Sequence, residues 1–489
     1  MTLKLYNSLT RQEEKFESLE PDKIKMYICG VTVYDYCHLG HARSYIVWDT
    51  MRRYLMWRGY QVKYVQNFTD IDDKILNRAR ETESSMESVA ERFIEAYFKD
   101  MKRLNVLEAD EYPRATHKID AIKRLIHDLE KKGFAYSSGG DVYYQVREFS
   151  EYGKLSGRCV EEMQAGASGR VDSEDLEVAK KKNPFDFALW KAAKVGEPAW
   201  NSPWGKGRPG WHIECSAMVK DSLGETIDIH GGGADLIFPH HENEIAQSEA
   251  STGKSLARYW LHNGFVTING EKMSKSLGNF TTIRDLLNRP IDPMAVRMFV
   301  LTAQYRKPID FTEEAIASAK NGWNTIKEGI LFAYQYGSQL GWEMPEKTLS
   351  EGTKLLTFQV EKFQKAMDND INTPAALAVL FELAKELRRE GNFLVHEGKT
   401  KTSLEELQKQ WVTLVNLSQV LGLEVKIDEQ VSSVSGNLSG AEIDSLIQQR
   451  LEAKKAKNYS EADRIRNELQ NEGIKLIDKP GGITNWHRN

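Results

Sequence analysis

Apolar residues alternate at Ile24, Met26 and Ile28, the two-residue period of a strand with one buried face. Cys29-Gly30 ends that pattern. From about His38 the period lengthens: Ile46, Val47, Met51, Tyr54 and Leu55 recur at helical spacing, and Gly59 supplies a stop. Val62, Tyr64 and the run to Asn67 then restore the alternation of a strand. Strand, helix, strand in so short a span is a βαβ unit, which requires a parallel sheet. A second such stretch begins at residues 226–229, a strand running into Gly231-Gly232-Gly233. Pro239 is expected to open a helix reaching about Ala250, because proline suits the first helical position. Residues 259–268 read as another strand.

Between these halves the pattern is irregular, with Gly139-Gly140, a Tyr143-Tyr144 strand signal and the run EPAWNSPWGKGRPGW. Beyond about 310 the texture is helical. Thr373-Pro374 reads as a helix cap followed by proline, with Leu377, Leu380, Phe381, Ala384 and Leu387 on one face. EQVSSVSGNLSG reads as a flexible linker. The expected architecture is therefore α/β. A Rossmann-type parallel-sheet catalytic domain (1–115 and 223–310) is split by a connective insertion (116–222). A helical bundle (311–428) and a small C-terminal module (441–489) follow.

The chain's 489 residues allow about three domains. Apolar residues make up 40% and charged residues 28%, an ordinary balance that supports a large core and argues against wholesale disorder. The net charge of −5 excludes a uniformly basic coat, though not a local basic face. Four cysteines, Cys29, Cys37, Cys159 and Cys215, are too few for a disulfide scaffold and suit a reducing, cytoplasmic setting. No leader-like h-region and no apolar run of spanning length occurs, so no membrane association is expected.

Three groups of residues carry chemistry. His38-Leu39-Gly40-His41 sits where the first strand passes into its helix. A helix N-terminus presents unpaired N–H groups and attracts phosphate, and His38 and His41 share one side of the first turn. Gly40 between them leaves room for a base. Lys272-Met273-Ser274-Lys275-Ser276 is a cationic loop among small residues, suited to neutralising a departing pyrophosphate. Cys29, Cys215, His240 and Glu244 form a possible Zn²⁺ set, with His240 and Glu244 four apart on one helix face. His241 with Glu244 satisfies the same spacing, and Cys37 and Cys159 are competing thiols.

MYICGVTVYDYCHLGHARSY, NFTDIDDKI, RPGWHIECSAM, DIHGGGADLIFPHHENEIAQSE and HNGFVTINGEKMSKSLGNF occur in this order. Together they resemble the cysteinyl-tRNA synthetases, a family of class I aminoacyl-tRNA synthetases. The likeness runs from about residue 3 to the end. It implies that His38, Gly40, His41, Lys272, Ser274 and Lys275 bind ATP, with His38, His41, Lys272 and Lys275 catalytic. It implies Cys29, Cys215, His240 and Glu244 as ligands of one zinc ion, which leaves Cys37 and Cys159 structural. Thr32, Trp211 and His230 would surround the substrate cysteine. The tail departs from the family's Gly-Thr-Thr-Trp, reading Gly482-Ile483-Thr484-Asn485-Trp486.

The resemblance implies a cytoplasmic, monomeric enzyme that activates L-cysteine with Mg²⁺·ATP and transfers it to tRNA(Cys). Lys454, Lys455 and Lys457 are candidate phosphate contacts. Trp486 either stacks on an anticodon base or caps a small core. The rival reading is an ATP-dependent cysteine ligase acting on a small amine. A zinc hydrolase leaves the lysine loop unexplained, and a non-catalytic RNA-binding protein leaves the whole ATP apparatus unexplained.

Overall fold

The computed structural model describes residues 2–159, 180–273, 279–342, 355–426, 440–472, 474–478 and 484–488. Of the expected linker at 429–440, residues 429–439 lie outside them, as do Ser274 and Lys275, while Gly440 opens a helix. Residues 1–424 form one compact unit and 425–489 a second.

The first unit is organised on four parallel strands: β1 (Lys23–Thr32), β2 (Gln61–Thr69), β3 (Ile227–Gly233) and β4 (Ala257–Asn263). Their spatial order is β4-β3-β1-β2. Helix α1 (Leu39–Trp57) crosses from β1 to β2, as the βαβ spacing predicts. The β1–β2 ladder is interrupted by a bulge between Ile28 and Val31. Here Gly30 N–H donates to Asn67 Oδ1 at 2.8 Å, and a Cβ on Gly30 would stand 1.6 Å from the Asn67 carbonyl oxygen, so no other residue fits. Cys29 lies two residues from Tyr27 and so shares its face, in the buried cluster with Val65, Cys215, Met218, Val219 and Trp260.

Helix α2 (Trp211–Leu223) packs on that face and carries Cys215. Helix α3 (Glu242–Thr252) starts later than the proline pattern predicts. Phe238-Pro239 is a cis peptide, and Phe238 has extended dihedrals inside the tight turn Ile237–His241. Pro239 therefore belongs to the turn and is not the first residue of the regular helix. The expected strand at 259–268 is divided, since β4 stops at Asn263 and a separate strand covers Val266–Ile268.

The segment that reads as irregular contains an antiparallel sheet of Ala135–Ser138, Asp141–Tyr144, Phe187–Ala192 and Gly207–Pro209. Its strands are short and aromatic, and Tyr143, Tyr144 and Trp190 are fully buried. Helices Glu313–Tyr336, Thr357–Met367, Thr373–Glu397 and Leu404–Val420 follow. The cap of the third is Asn372, whose side chain accepts from Ala375 N–H. Thr373 instead donates its hydroxyl to the Leu301 carbonyl. No helix among the described residues is long and apolar enough to cross a membrane.

The second unit contains helices Gly440–Lys455 and Tyr459–Asn471 and an antiparallel hairpin of Ile474–Asp478 with Thr484–Arg488. Ile443, Ile447, Ile465, Leu469 and Ile474 form its core.

The first unit holds a buried ion pair between Arg297 and Asp49 of α1, to which Arg53 Nε adds a bond of 2.9 Å. Arg297 also donates to the carbonyls of Leu421 at 2.7 Å, Leu104 at 3.1 Å and Asn105 at 3.0 Å. This ties α1 to the end of the helical bundle. Asp49→Ala leaves a fully buried guanidinium without its anion. We expect a stability loss of about 3–5 kcal/mol, read as a lower urea-unfolding midpoint.

Candidate active site

The C-terminal edge of the parallel sheet is where an α/β fold opens a crevice. There β1 contributes Cys29, α2 Cys215, the Ile237–His241 turn His240, and α3 Glu244. Cys29 Sγ lies 4.0 Å from Cys215 Sγ and 3.4 Å from Glu244 Oε1, while His240 Nε2 lies 3.1 Å from Glu244 Oε1. All four donor atoms fall within 4.8 Å of one another, and all four residues are buried. A tetrahedral zinc site with bonds of about 2.0–2.3 Å has edges of about 3.3–3.8 Å, so the spacing and the donor types fit that ion.

His230, His241, Cys29 and Glu244 form a second set within the same limit. His241 Nε2 stands farther from Glu244 Oε1, at 3.9 Å, and that set has only one sulfur. The first set thus matches a soft divalent metal better. Cys37 is buried in other surroundings, beside Asp100 and Arg284, and Cys159 is exposed; among the described residues neither joins a donor set.

The cluster is electrostatically tense. Burial and the neighbouring Cys215 and Glu244 push the Cys29 thiol well above its ordinary range. Cys215 is lowered to about 6, chiefly by its hydrogen bond with Cys29, with His240 contributing against the opposing effect of burial. Burial alone would raise Glu244, but His230 and His240 override it and hold the carboxyl well below its usual range. His240 moves up to about 9: burial opposes this, and Glu244 and Cys215 more than offset it. These side chains therefore favour negative charge on Cys215 and Glu244, the state a cation requires.

The flanking groups hold this arrangement. His230 Nε2 binds the other oxygen of Glu244 at 2.9 Å, and its ring stacks on Trp260 at 4.3 Å. The Trp211 ring stacks on His240 at 4.1 Å, and His212 Nδ1 lies 3.0 Å from His240 Nδ1. His241 Nδ1 contacts His262 Nε2 at 2.8 Å, and His262 Nδ1 contacts Ser8 Oγ at 2.8 Å. Thr32 ends β1 opposite Thr69, half-buried. The sequence reading assigned no role to His212, His262 or Trp260. Their signal is positional: β4 pairs with β3 in parallel register, and His262 stands beside Gly232 at the same sheet edge.

His38 caps α1. Its Nδ1 accepts from Gly40 N–H at 3.1 Å, and His41 Nδ1 accepts from His38 N–H at 3.2 Å. The rings stack at 3.7 Å. With both Nδ1 lone pairs engaged, each neutral ring carries its proton on Nε2. The first amides of the helix are themselves engaged: Leu39 N–H donates to the Thr281 carbonyl at 3.1 Å, and His41 and Ala42 N–H donate to the His38 carbonyl at 2.9 and 3.2 Å. Burial, His38 and Lys74 push His41 well below the ordinary imidazole range, so it is neutral at pH 7. Lys272 ends the short strand Glu271–Lys272, paired with Thr267. In the C-terminal unit Lys455 and Lys457 are exposed and Lys454 is half-buried. Trp486 packs on the module's core and donates Nε1–H to Asp444 at 2.7 Å. It thus occupies the core-capping position.

Residues 15–321 match the family model for the class I (C) tRNA synthetase catalytic domain, and residues 362–426 match the DALR domain. The chain is 86% identical to a cysteine–tRNA ligase of Trichodesmium erythraeum over the full length of both. The chain belongs to the cysteine–tRNA ligase family. A second cysteine–tRNA ligase, from Gloeothece citriformis, is 65% identical, again over the full length of both. The fold extends beyond these ligases. Mycobacterium tuberculosis methionyl-tRNA synthetase in complex with methionyl-adenylate superposes with a TM-score of 0.55 at 16% identity, covering 86% of this chain and 95% of that one. The LeuRS–tRNA–LeuAMS complex of Agrobacterium radiobacter gives 0.57 at 12%, covering 83% and 85%.

His262 gives a pH prediction. Burial, with His230 adding repulsion, lowers it from 6.5 to about 3, so the folded protein keeps it neutral while the unfolded chain protonates. Stability should fall as pH drops from 6.5 toward about 3, with a limiting slope of about 1.4 kcal/mol per pH unit. The check is unfolding free energy against pH for the parent and His262→Gln, which should lack this component.

Proposed function

We propose that the chain forms cysteinyl-adenylate from L-cysteine and ATP, then transfers the cysteinyl group to tRNA(Cys). A carboxylate oxygen of cysteine attacks the α-phosphorus of ATP, and pyrophosphate leaves. The 2′-hydroxyl of the terminal adenosine then attacks the acyl carbon, and AMP leaves. In the first step the nucleophile is already an anion, so positioning and charge stabilisation supply the rate. Nε2–H of His38 and of His41 are assigned to the ATP phosphates. Gly40 and Ser274 are assigned to ATP binding, and Lys272 and Lys275 to offsetting the charge that develops on pyrophosphate.

The observation that carries the cysteine assignment is the buried gathering of Cys29, Cys215, His240 and Glu244 at the sheet edge. A zinc ion held there supplies a soft acceptor for a thiolate, which the hard, weakly acidic hydroxyl of serine does not match. Thr32, Trp211 and His230 are assigned to enclosing the amino acid, with His230 fixing the Glu244 carboxylate. Magnesium enters with ATP. Residues 311–428 and 441–489 are assigned to holding tRNA, with Lys454, Lys455 and Lys457 as phosphate contacts.

The test is exchange of labelled pyrophosphate into ATP, followed by tRNA charging. Exchange should require cysteine and fail with serine, and a chelator should abolish it. Exchange without charging would instead indicate a ligase for another acceptor. Cys215→Ser should lose bound metal. Lys275→Ala should slow exchange about 10²–10³-fold while cysteine binding is retained.

A further inference from the structure

Arg43 lies two residues beyond His41 in the first turns of α1 and is 1% exposed. Among the described residues no carboxylate is a hydrogen-bond partner of Arg43. Its guanidinium instead donates to three backbone carbonyls: Phe265 at 2.7 Å, Tyr305 at 3.1 Å, and Lys307. Burial lowers it to about 10, so it remains a cation at neutral pH. Burying a charge against neutral carbonyls is costly, and such a residue demands a geometric reason.

The three carbonyls belong to one joint. Val266–Ile268 pairs with Glu271–Lys272 on one side and with Ile309–Phe311 on the other. Phe265 begins this hairpin, and Tyr305 and Lys307 precede its parallel neighbour. At the joint Gly264 N–H donates to the Tyr305 carbonyl at 2.9 Å, and Ile309 N–H to the Phe265 carbonyl at 3.0 Å. The hairpin leads directly into Lys272-Met273-Ser274-Lys275-Ser276. The far side of that loop is also pinned to the start of α1: Leu39 N–H donates to the Thr281 carbonyl at 3.1 Å, and Ile283 N–H to the Cys37 carbonyl at 2.8 Å. Backbone bonds thus fix one root of the lysine loop to the histidine turn, and a side chain from the same helix fixes the other.

We propose that Arg43 is a positioning residue for ATP activation, clamping the root of the hairpin that ends at Lys272 to the helix that carries His38 and His41. It touches no substrate. Its planar fork reaches three acceptors at once, which a lysine ammonium on a flexible stem does not reproduce. A small displacement at this joint becomes a displacement of charge at the phosphates, and a misplacement of about 1 Å costs on the order of 10²-fold in rate.

The test uses the full chain with its zinc and compares Arg43→Lys, Arg43→Met and Gly264→Ala. A Cβ at Gly264 would stand 2.5 Å from the Lys307 carbonyl oxygen, so it forces the same joint while leaving the guanidinium in place. If Arg43→Met does not fold, Gly264→Ala carries the test. Cysteine-dependent pyrophosphate exchange is followed at saturating cysteine while ATP is varied. We expect kcat/KM for ATP to fall about 10–100-fold in Arg43→Met and less in Arg43→Lys, with KM for cysteine and zinc content unchanged. Gly264→Ala should shift the same parameters in the same direction.

Folded variants that match the parent overturn the clamp. So do variants whose cysteine KM and zinc content deteriorate in step with turnover, which marks a general structural role. The inference rests on the aminoacylation reading, and the two fail differently. A parent chain without cysteine-dependent exchange refutes that reading, whereas an active parent with equally active variants refutes only the clamp.

Discussion

The first unit is built around one expensive choice, the burial of two thiols, an imidazole and a carboxylate at a single point. Removing a carboxylate from water costs several kcal/mol unless every lone pair is engaged. Glu244 meets that demand by directing one oxygen to His240 and Cys29 and the other to His230. The apolar shell of Tyr27, Val65, Met218, Val219 and Trp260 then excludes the water that would otherwise screen these charges. A low local dielectric strengthens the pairing and sharpens preference for a cation at the centre of the donor set. The alternation of β1 brings Cys29 to that centre, and the distorted entry to α3 brings His240.

A second constraint runs along α1. Its N-terminus presents His38 and His41, Arg43 grips the hairpin root, and Asp49 neutralises Arg297, which holds the last turn of the helical bundle. One helix thus connects the turn assigned to phosphate with the loop carrying the lysines and with the domain that leads toward the C-terminal module. The buried arginines suit this use. Each binds several backbone carbonyls at once and so fixes distances between segments far apart in sequence, which apolar packing does less sharply.

The sequence reveals the elements whose signals are periodic or chemically rare. Ile24, Met26 and Ile28 announce β1, and the helical spacing from Ile46 to Leu55 announces α1. The cysteine and histidine blocks mark the donor residues although they come from segments some 200 residues apart. Other features depend on contacts that no local pattern encodes. The choice between His240 and His241 turns on less than an ångström of reach to Glu244. Pro239 is a turn residue because the chain must bend before α3, and Asn372 caps its helix because Thr373 is drawn to the Leu301 carbonyl. The antiparallel sheet at 135–209 is hidden by its short strands and by the Gly and Pro residues that separate them.

β1 joins the two chemical halves. It carries Cys29 in the donor cluster, its last residue is Thr32, and the chain reaches His38 only six residues later. Val33 N–H is then held by the Thr69 carbonyl of β2 at 3.1 Å, so the connecting segment stays anchored to the sheet. The donor cluster and the histidine turn therefore share a single strand end. A shift of β1 relative to β2 moves a candidate metal ligand and the start of α1 together. Substitutions at the Gly30–Asn67 contact should consequently couple with changes at either end, because all three act through the placement of one strand.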